Sequence, residues 1–173
     1  LADDTLDEAG RQRLVDAITG YVLSLEENPL KGQPARLPLK LVGDGVTPRY
    51  QDNEGGLVTL HSRESLASAA AALGDANLDE ARFRHNIVIG GVAAWEEQAW
   101  IGGKLRIGGV TFDVAKPETR CLATHANPAT GERDLDVMQT LVRAFKQQQP
   151  TFGVGMLSVA GGEIRVGDTV VLT

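Results

Sequence analysis

Leu105-Arg106-Ile107-Gly108-Gly109-Val110-Thr111-Phe112-Asp113-Val114 holds two β-prone runs joined by a diglycine, the pattern of a tight antiparallel hairpin. Pro117 is expected to end it. Downstream, Arg120–Ala126 reads as the next strand, closed by the turn Asn127-Pro128-Ala129-Thr130-Gly131. Phe152–Ala160, Ile164–Val166 and Thr169–Leu172, separated by Gly161-Gly162 and Gly167-Asp168, are three further strand candidates. Upstream lie Leu57–His61 and Ile87–Ile89, and a short run at Leu39–Val42, with turn clusters at Gly43-Asp44-Gly45 and Asp52–Gly56. Trp95 and Trp100, five apart, suit neither one helical face nor one strand face and are expected to anchor a bent segment in the core.

Three helices interrupt the strands. Thr5-Leu6-Asp7-Glu8 has the form of a capping box, and Leu14, Ile18, Tyr21, Val22 and Leu25 follow at helical spacing until Asn28-Pro29. Ser62 can cap an alanine-rich helix running to Leu73 with Gly74 behind it. Val137, Leu141, Val142 and Phe145 outline the third. Many short strands with glycine turns and about three peripheral helices predict a mainly β (α+β) fold, a barrel or rolled sheet, in a single domain over residues 1–173.

The net charge of −6 opposes general affinity for nucleic acid. Arg82, Arg84, Lys116, Arg120 and Arg133 nevertheless fall in the second half of the chain and can build a local anion pocket. No apolar run approaches the roughly 18 residues of a membrane span, and no basic-then-apolar leader opens the sequence, so neither a membrane nor an export route is expected. A single cysteine suits a reducing compartment, and cytoplasm is the expected location.

That cysteine, Cys121, follows Arg120, whose fixed charge favours the thiolate that nucleophiles and metal ligands require. A buried structural thiol is the competing reading. A zinc site is hard to assemble from one cysteine and three histidines without paired spacing; on a strand, Cys121 and His125 would stand about 13 Å apart. A cysteine–histidine pair through His61 or His85 stays open. No phosphate loop or dinucleotide fingerprint is present, and Gly153-Val154-Gly155, inside a strand candidate, reads as close packing or a bulge.

Arg82-Phe83-Arg84-His85-Asn86-Ile87-Val88, Trp95-Glu96-Glu97, Trp100-Ile101-Gly102, Leu105–Gly108, Arg120-Cys121, Asn127–Gly131, Phe152-Gly153-Val154 and Ile164–Asp168, in this order and spacing, strongly resemble the MOSC domain, the molybdenum cofactor sulfurase C-terminal domain. The resemblance covers residues 55–172, while residues 1–54 look like the more variable part of bacterial members. It implies a MOSC-type β-barrel with peripheral helices, and a molybdenum cofactor (molybdopterin) as ligand. In the branch that resembles the amidoxime-reducing component, reductases of N-hydroxylated compounds, the cysteine matching Cys121 ligates molybdenum, and the residues matching Arg84, Thr119 and Arg120 contact the pterin. Asn86 matches the family asparagine and joins this set. Two departures stand out: His85 replaces the proline of many members, and the usual amino-terminal β segment with its cofactor-contacting lysine–serine pair is not found before Leu1.

Three functions are therefore carried forward: a molybdenum-dependent reductase, a sulfur carrier or cofactor-handling module with a Cys121 persulfide, and a non-catalytic interaction barrel. With no ferredoxin-like cysteine cluster and no flavin or nicotinamide motif, a reductase requires separate electron-donor proteins, and a carrier requires a cysteine desulfurase. The family is also associated with pyridoxal phosphate. No lysine here has a Schiff-base setting, so that cofactor is not expected.

Overall fold

The computed structural model describes residues 7–43 and 55–173. The chain divides into two compact units, Leu1–Arg49 and Tyr50–Thr173. In the first, helix α1 (Glu8–Ser24) begins after Asp7, whose carboxylate accepts from the Gly10 N–H at 2.9 Å. Thr5 of the expected capping box lies outside the described residues. The helix stops at Ser24, four residues before Asn28, where the Leu25 N–H turns back to the Val22 carbonyl. The strand expected at Leu39–Val42 is instead irregular backbone; the Arg11 guanidinium donates to the Leu41 carbonyl at 2.7 Å, which occupies a group a strand would use in its ladder. Of the two turns expected after it, Asp44, Gly45 and residues 52–54 lie outside the described residues.

The second unit is built on a six-stranded sheet. Its strands are β1 (Val58–Ser62), β2 (Ile87–Ile89), β3 (Lys104–Ile107), β4 (Val110–Thr119), β5 (Thr151–Ser158) and β6 (Val170–Leu172), in the spatial order β2-β1-β5-β4-β3-β6. The diglycine hairpin forms as expected, with Ile107 opposite Val110 and Leu105 opposite Phe112. β1 and β2 run parallel and every other pair antiparallel. The parallel pair needs a crossover, supplied by helix α2 (Arg63–Leu73). Ser62 Oγ caps it by accepting from the Ser65 N–H at 3.0 Å, and Gly74 ends it at φ 71°. Helix α3 (Val137–Phe145) follows β4 and leads back into β5.

Two apolar clusters hold this unit. Leu60, Leu105, Phe112, Val114, Val154 and Met156 fill the concave side of the sheet with Trp100, while Phe83, Val137, Leu141 and Phe152 join α2 and α3 to it. The bent segment around the tryptophans is present: Trp95 turns the chain at φ 68° and Trp100 is buried.

Three strand assignments in this second unit also differ from expectation. Pro117 does not end the hairpin; β4 continues through it to Thr119, because the pairing with β5 slips between Val114 and Lys116 and again between Pro117 and Thr119, and an irregular ladder tolerates a residue without an N–H. Arg120–Ala126 is not a strand, since Leu122–His125 forms a 3-10 turn. Ile164–Val166 is not a strand but leads into a turn at Val166-Gly167, closed by the Asp168 N–H on the Arg165 carbonyl at 3.1 Å and by the Arg165 N–H on Asp168 Oδ2 at 2.8 Å. The slips in β4 curl the sheet into a half-barrel, and its two edge strands, β2 and β6, border one cleft of about 740 Å³.

Candidate functional site

The chain leaves β4 beside β5: Thr119 pairs with Thr151, and the Arg120 N–H donates to the Pro150 carbonyl at 2.8 Å. Cys121 follows in extended backbone, φ −117° and ψ 177°, and opens the 3-10 turn. Its carbonyl accepts from the Thr124 N–H at 3.1 Å and from Thr124 Oγ1 at 2.9 Å. Thr124 is buried, so the turn is anchored from below while Cys121 stays exposed.

The loop beyond is closed by a bridge between Ala126 and Arg133 and fastened from a distant segment. Arg82, 5% exposed, donates from one Nη to Asp134 Oδ2 at 2.8 Å, with Asp134 Oδ1 2.7 Å from the same nitrogen, and from the other Nη to the His125 carbonyl at 3.1 Å. The side-chain amide of Asn127 and the Arg82 guanidinium both hold the Asp134 carboxyl below the usual carboxylate range. The two nitrogens of the guanidinium thus tie two points of the loop, the Asp134 carboxylate and the His125 carbonyl, to one buried side chain.

Arg120 points back under the segment entering β2. One Nη donates to the Phe83 carbonyl at 2.7 Å and the other lies 3.2 Å from His85 Nε2, with the guanidinium carbon 6.0 Å from the Phe83 ring centroid. Burial pulls its pKa below the ordinary value, while Glu118 and Cys121 oppose that pull and Arg84 adds to it, so all four charges share one neighbourhood. A guanidinium has no acceptor, so His85 Nε2 accepts and the His85 proton sits on Nδ1. His85 Nδ1 is 2.8 Å from His61 Nδ1, which must then be the acceptor, leaving the His61 proton on Nε2. His61 is 1% exposed, and its Nε2 has no hydrogen-bond partner; the nearest carboxylate oxygen, Glu80 Oε2, is 4.0 Å away.

Both imidazoles are neutral at pH 7. Burial first and the Arg120 charge second lower His61 to about 4; the same two causes, with His61 third, lower His85 to about 2. The pair lies against Phe152, with ring centroids at 5.2 Å from His61 and 5.7 Å from His85. Room for it comes from Gly153, at φ 72°, where a β-carbon would overlap the Leu60 carbonyl oxygen and the His85 ring.

Of the residues singled out in the sequence, the structure gathers Cys121, Thr119, Arg120 and Arg84 around the end of β4. Thr119 and Cys121 are exposed, and Arg84 is exposed with φ 52°, an uncommon backbone conformation for a residue other than glycine. Asn86 lies apart: it borders the cleft between the sheet edges, and its carbonyl oxygen accepts from the Thr59 N–H at 2.8 Å and Thr59 Oγ1 at 3.0 Å. Neither His61 nor His85 bonds to the thiol, so the open cysteine–histidine pairing is not formed. No group of three metal-ligating side chains exists among the described residues.

Sequence reasoning missed the histidine pair, Glu118 and the Arg82–Asp134 clasp. Two buried polar atoms near the end of β4 lack hydrogen-bond partners, Arg120 Nε and Glu118 Oε2, the latter lying toward Gly155 of β5. The exposed Thr119 hydroxyl and Cys121 thiol present a hydrogen-bonding group and a soft sulfur ligand at the end of β4, a chemistry that fits a polar ligand carrying a sulfur-seeking metal.

The sequence model of the MOSC domain matches residues 50–171, well over half of the chain, and the chain belongs to that family. Among curated proteins it is similar to the bovine (Bos taurus) molybdenum cofactor sulfurase, with 36% identity over 76 residues covering 44% of this chain and 8% of the sulfurase. It is also similar to the mitochondrial amidoxime reducing component 2 of Rattus norvegicus, 35% identical over 98 residues covering 51% of this chain and 28% of that protein. The human (Homo sapiens) counterpart is 28% identical over 167 residues, covering 87% of this chain and 46% of its own. The chain therefore spans less than half the length of each of these relatives.

Proposed function

We propose that this MOSC domain binds a molybdenum cofactor and serves a reductase of N-hydroxylated compounds, with Cys121 as the metal ligand. The observation that carries the reading is the exposed thiol directly after a half-buried guanidinium that is tethered at two points and keeps an unpartnered Nε. When bound, the cofactor supplies a redox-active metal–sulfur centre for the two-electron reduction of an N–OH group to N–H and water.

The chain's own residues bind and orient. Cys121 offers a thiolate sulfur, the ligand type that soft metal centres select. Arg120 offers its Nε–H and remaining Nη hydrogens, Arg84 a second guanidinium and Thr119 a hydroxyl, donors suited to pterin carbonyl and phosphate oxygens. Glu118 supplies the acceptor that pterin N–H groups need. Asn86, whose carbonyl oxygen is engaged by Thr59, has only its amide N–H groups to offer. Electrons come from a donor outside these residues, which carry no ferredoxin-like cysteine cluster and no flavin or nicotinamide motif; a separate donor protein is the proposed source.

Similarity to molybdenum cofactor sulfurases and the exposure of Cys121 favour one second reading, a sulfur carrier charged by a cysteine desulfurase. Elemental analysis of protein purified from a molybdenum-replete host tests the first: about one molybdenum per chain is expected, lost in Cys121→Ala because the ligand is gone. Metal retained by that variant overturns the ligand assignment. A persulfide on Cys121 by mass, transferable to cofactor and without turnover of an N-hydroxylated substrate, supports the carrier instead.

A further inference from the structure

Cys121 and Arg120 are part of the reading above; His61 and His85 are not. They occupy fully and largely enclosed positions on two different segments, β1 and the turn before β2, and they meet Nδ1 to Nδ1 at 2.8 Å. A buried imidazole pair with one unpartnered nitrogen is costly unless it holds something in place. What it touches at the far end is Arg120, 3.2 Å from His85 Nε2.

We infer that His85, backed by His61, is a positioning residue: the two imidazoles form an acceptor chain that fixes the Arg120 guanidinium beside Cys121 and thereby sets the local positive charge at the thiol. The inference deepens the proposed function and rests on its reading of Cys121 as the working residue. Each link has one consistent proton arrangement. Arg120 donates to His85 Nε2, His85 Nδ1–H donates to His61 Nδ1, and the His61 Nε2–H is directed to the side where Glu80 is the nearest carboxylate, at 4.0 Å. The Phe83 carbonyl holds the other Nη at 2.7 Å, so the guanidinium is fixed at two points and cannot rotate while both acceptors persist.

The chain is not a proton relay, because it ends on a guanidinium that does not release its protons. Burial and the Arg120 guanidinium facing its Nε2 both hold the His85 imidazole neutral. Such a group is a poor proton carrier and a dependable neutral acceptor.

The test uses the intact protein. Nitrogen-15 imidazole spectra at pH 7 should show His85 as the Nδ1–H tautomer and His61 as the Nε2–H tautomer, a measurement that needs no substitution. The charge at the thiol is then read as the ratio of Cys121 alkylation rates with anionic iodoacetate and neutral iodoacetamide. That ratio cancels the thiolate fraction and reports the fixed field. Arg120→Leu should lower it about threefold or more, the scale of a nearby partly screened charge. His85→Leu should reproduce at least half of that loss, and His85→Gln, which keeps an acceptor, should restore the wild-type ratio. The opposite tautomers, or a His85→Leu ratio equal to wild type while Arg120→Leu is lowered, overturn the inference. An unchanged ratio in Arg120→Leu overturns it as well. The molybdenum count of Cys121→Ala decides the cofactor reading separately.

Discussion

His85 Nδ1 lies 2.8 Å from His61 Nδ1, so two imidazoles share one proton position inside a half-barrel whose sheet brings β1 and the β2 entrance side by side. Protonating His61 at Nδ1 would lose that contact, protonating His85 at Nε2 would set two donors against each other at Arg120, and both pKa values fall below the ordinary 6.5.

Stability should therefore fall with acid in a defined window. The unfolded chain binds protons at about 6.5 while the folded chain resists until about 4 at His61 and about 2 at His85, so the unfolded state holds more protons throughout that interval. Stability is intact above pH 6.5 and declines as the pH drops, approaching two protons taken up per unfolding event, or roughly 2.7 kcal/mol per pH unit. Urea midpoints at several pH values measure the slope. His85→Leu should make it shallower by one proton, and an unchanged slope in that variant would show that His85 is not the group responsible.

Removing the clasp on the cysteine-bearing loop should be expensive. Arg82→Ala deletes an ion pair and two charge-assisted hydrogen bonds made from a buried position, one of them to the same Asp134 carboxylate, and should cost about 2–4 kcal/mol, read from denaturant midpoints. Asp134→Asn should cost less, because that carboxylate is the more exposed partner and its amide replacement still accepts.

Gly153→Ala should destabilise by roughly 2–4 kcal/mol, combining left-handed backbone with overlap against the Leu60 carbonyl and the His85 ring. The same substitution at Gly131, also at positive φ but with open space around the added β-carbon, should cost only the backbone share, about 1 kcal/mol. Thermal midpoints of the two variants separate crowding from backbone strain.

Arg120→Ala should weaken cofactor retention by roughly 1.5–3 kcal/mol, the range for a charge-assisted hydrogen bond, with the secondary structure kept. Retention equal to wild type, measured as cofactor released on gel filtration, would mean that the residue serves Phe83 and His85 alone.

The hairpin across Gly108-Gly109, the capped helix between Ser62 and Gly74, and the third helix were legible because turn chemistry, capping and periodicity are local properties. Pro117 misled for a physical reason: the rule that proline ends a strand assumes a regular ladder, and the register slips around it are set by β5, some 40 residues away in sequence. The 3-10 turn after Cys121 was hidden because its β-prone residues are overruled by Thr124, buried and bonded twice to the Cys121 carbonyl. Arg120 and Cys121 could be singled out from their adjacency. His61 and His85 could not be joined, since their meeting depends on β1 and β2 lying parallel, which no spacing in the chain encodes.

The Arg82 clasp also bears on how this loop can vary in length. Both stems of the Asn127–Gly131 turn are pinned, by the Ala126–Arg133 bridge on one side and by Asp134 on the other, while Pro128, Ala129 and Thr130 at its tip are exposed. Extra residues inserted at the tip change only the closure entropy, about 0.6 kcal/mol for each doubling of a flexible loop. The tip is thus a graft point at which a fluorophore or affinity tag can be carried a few residues from the thiol without shifting it.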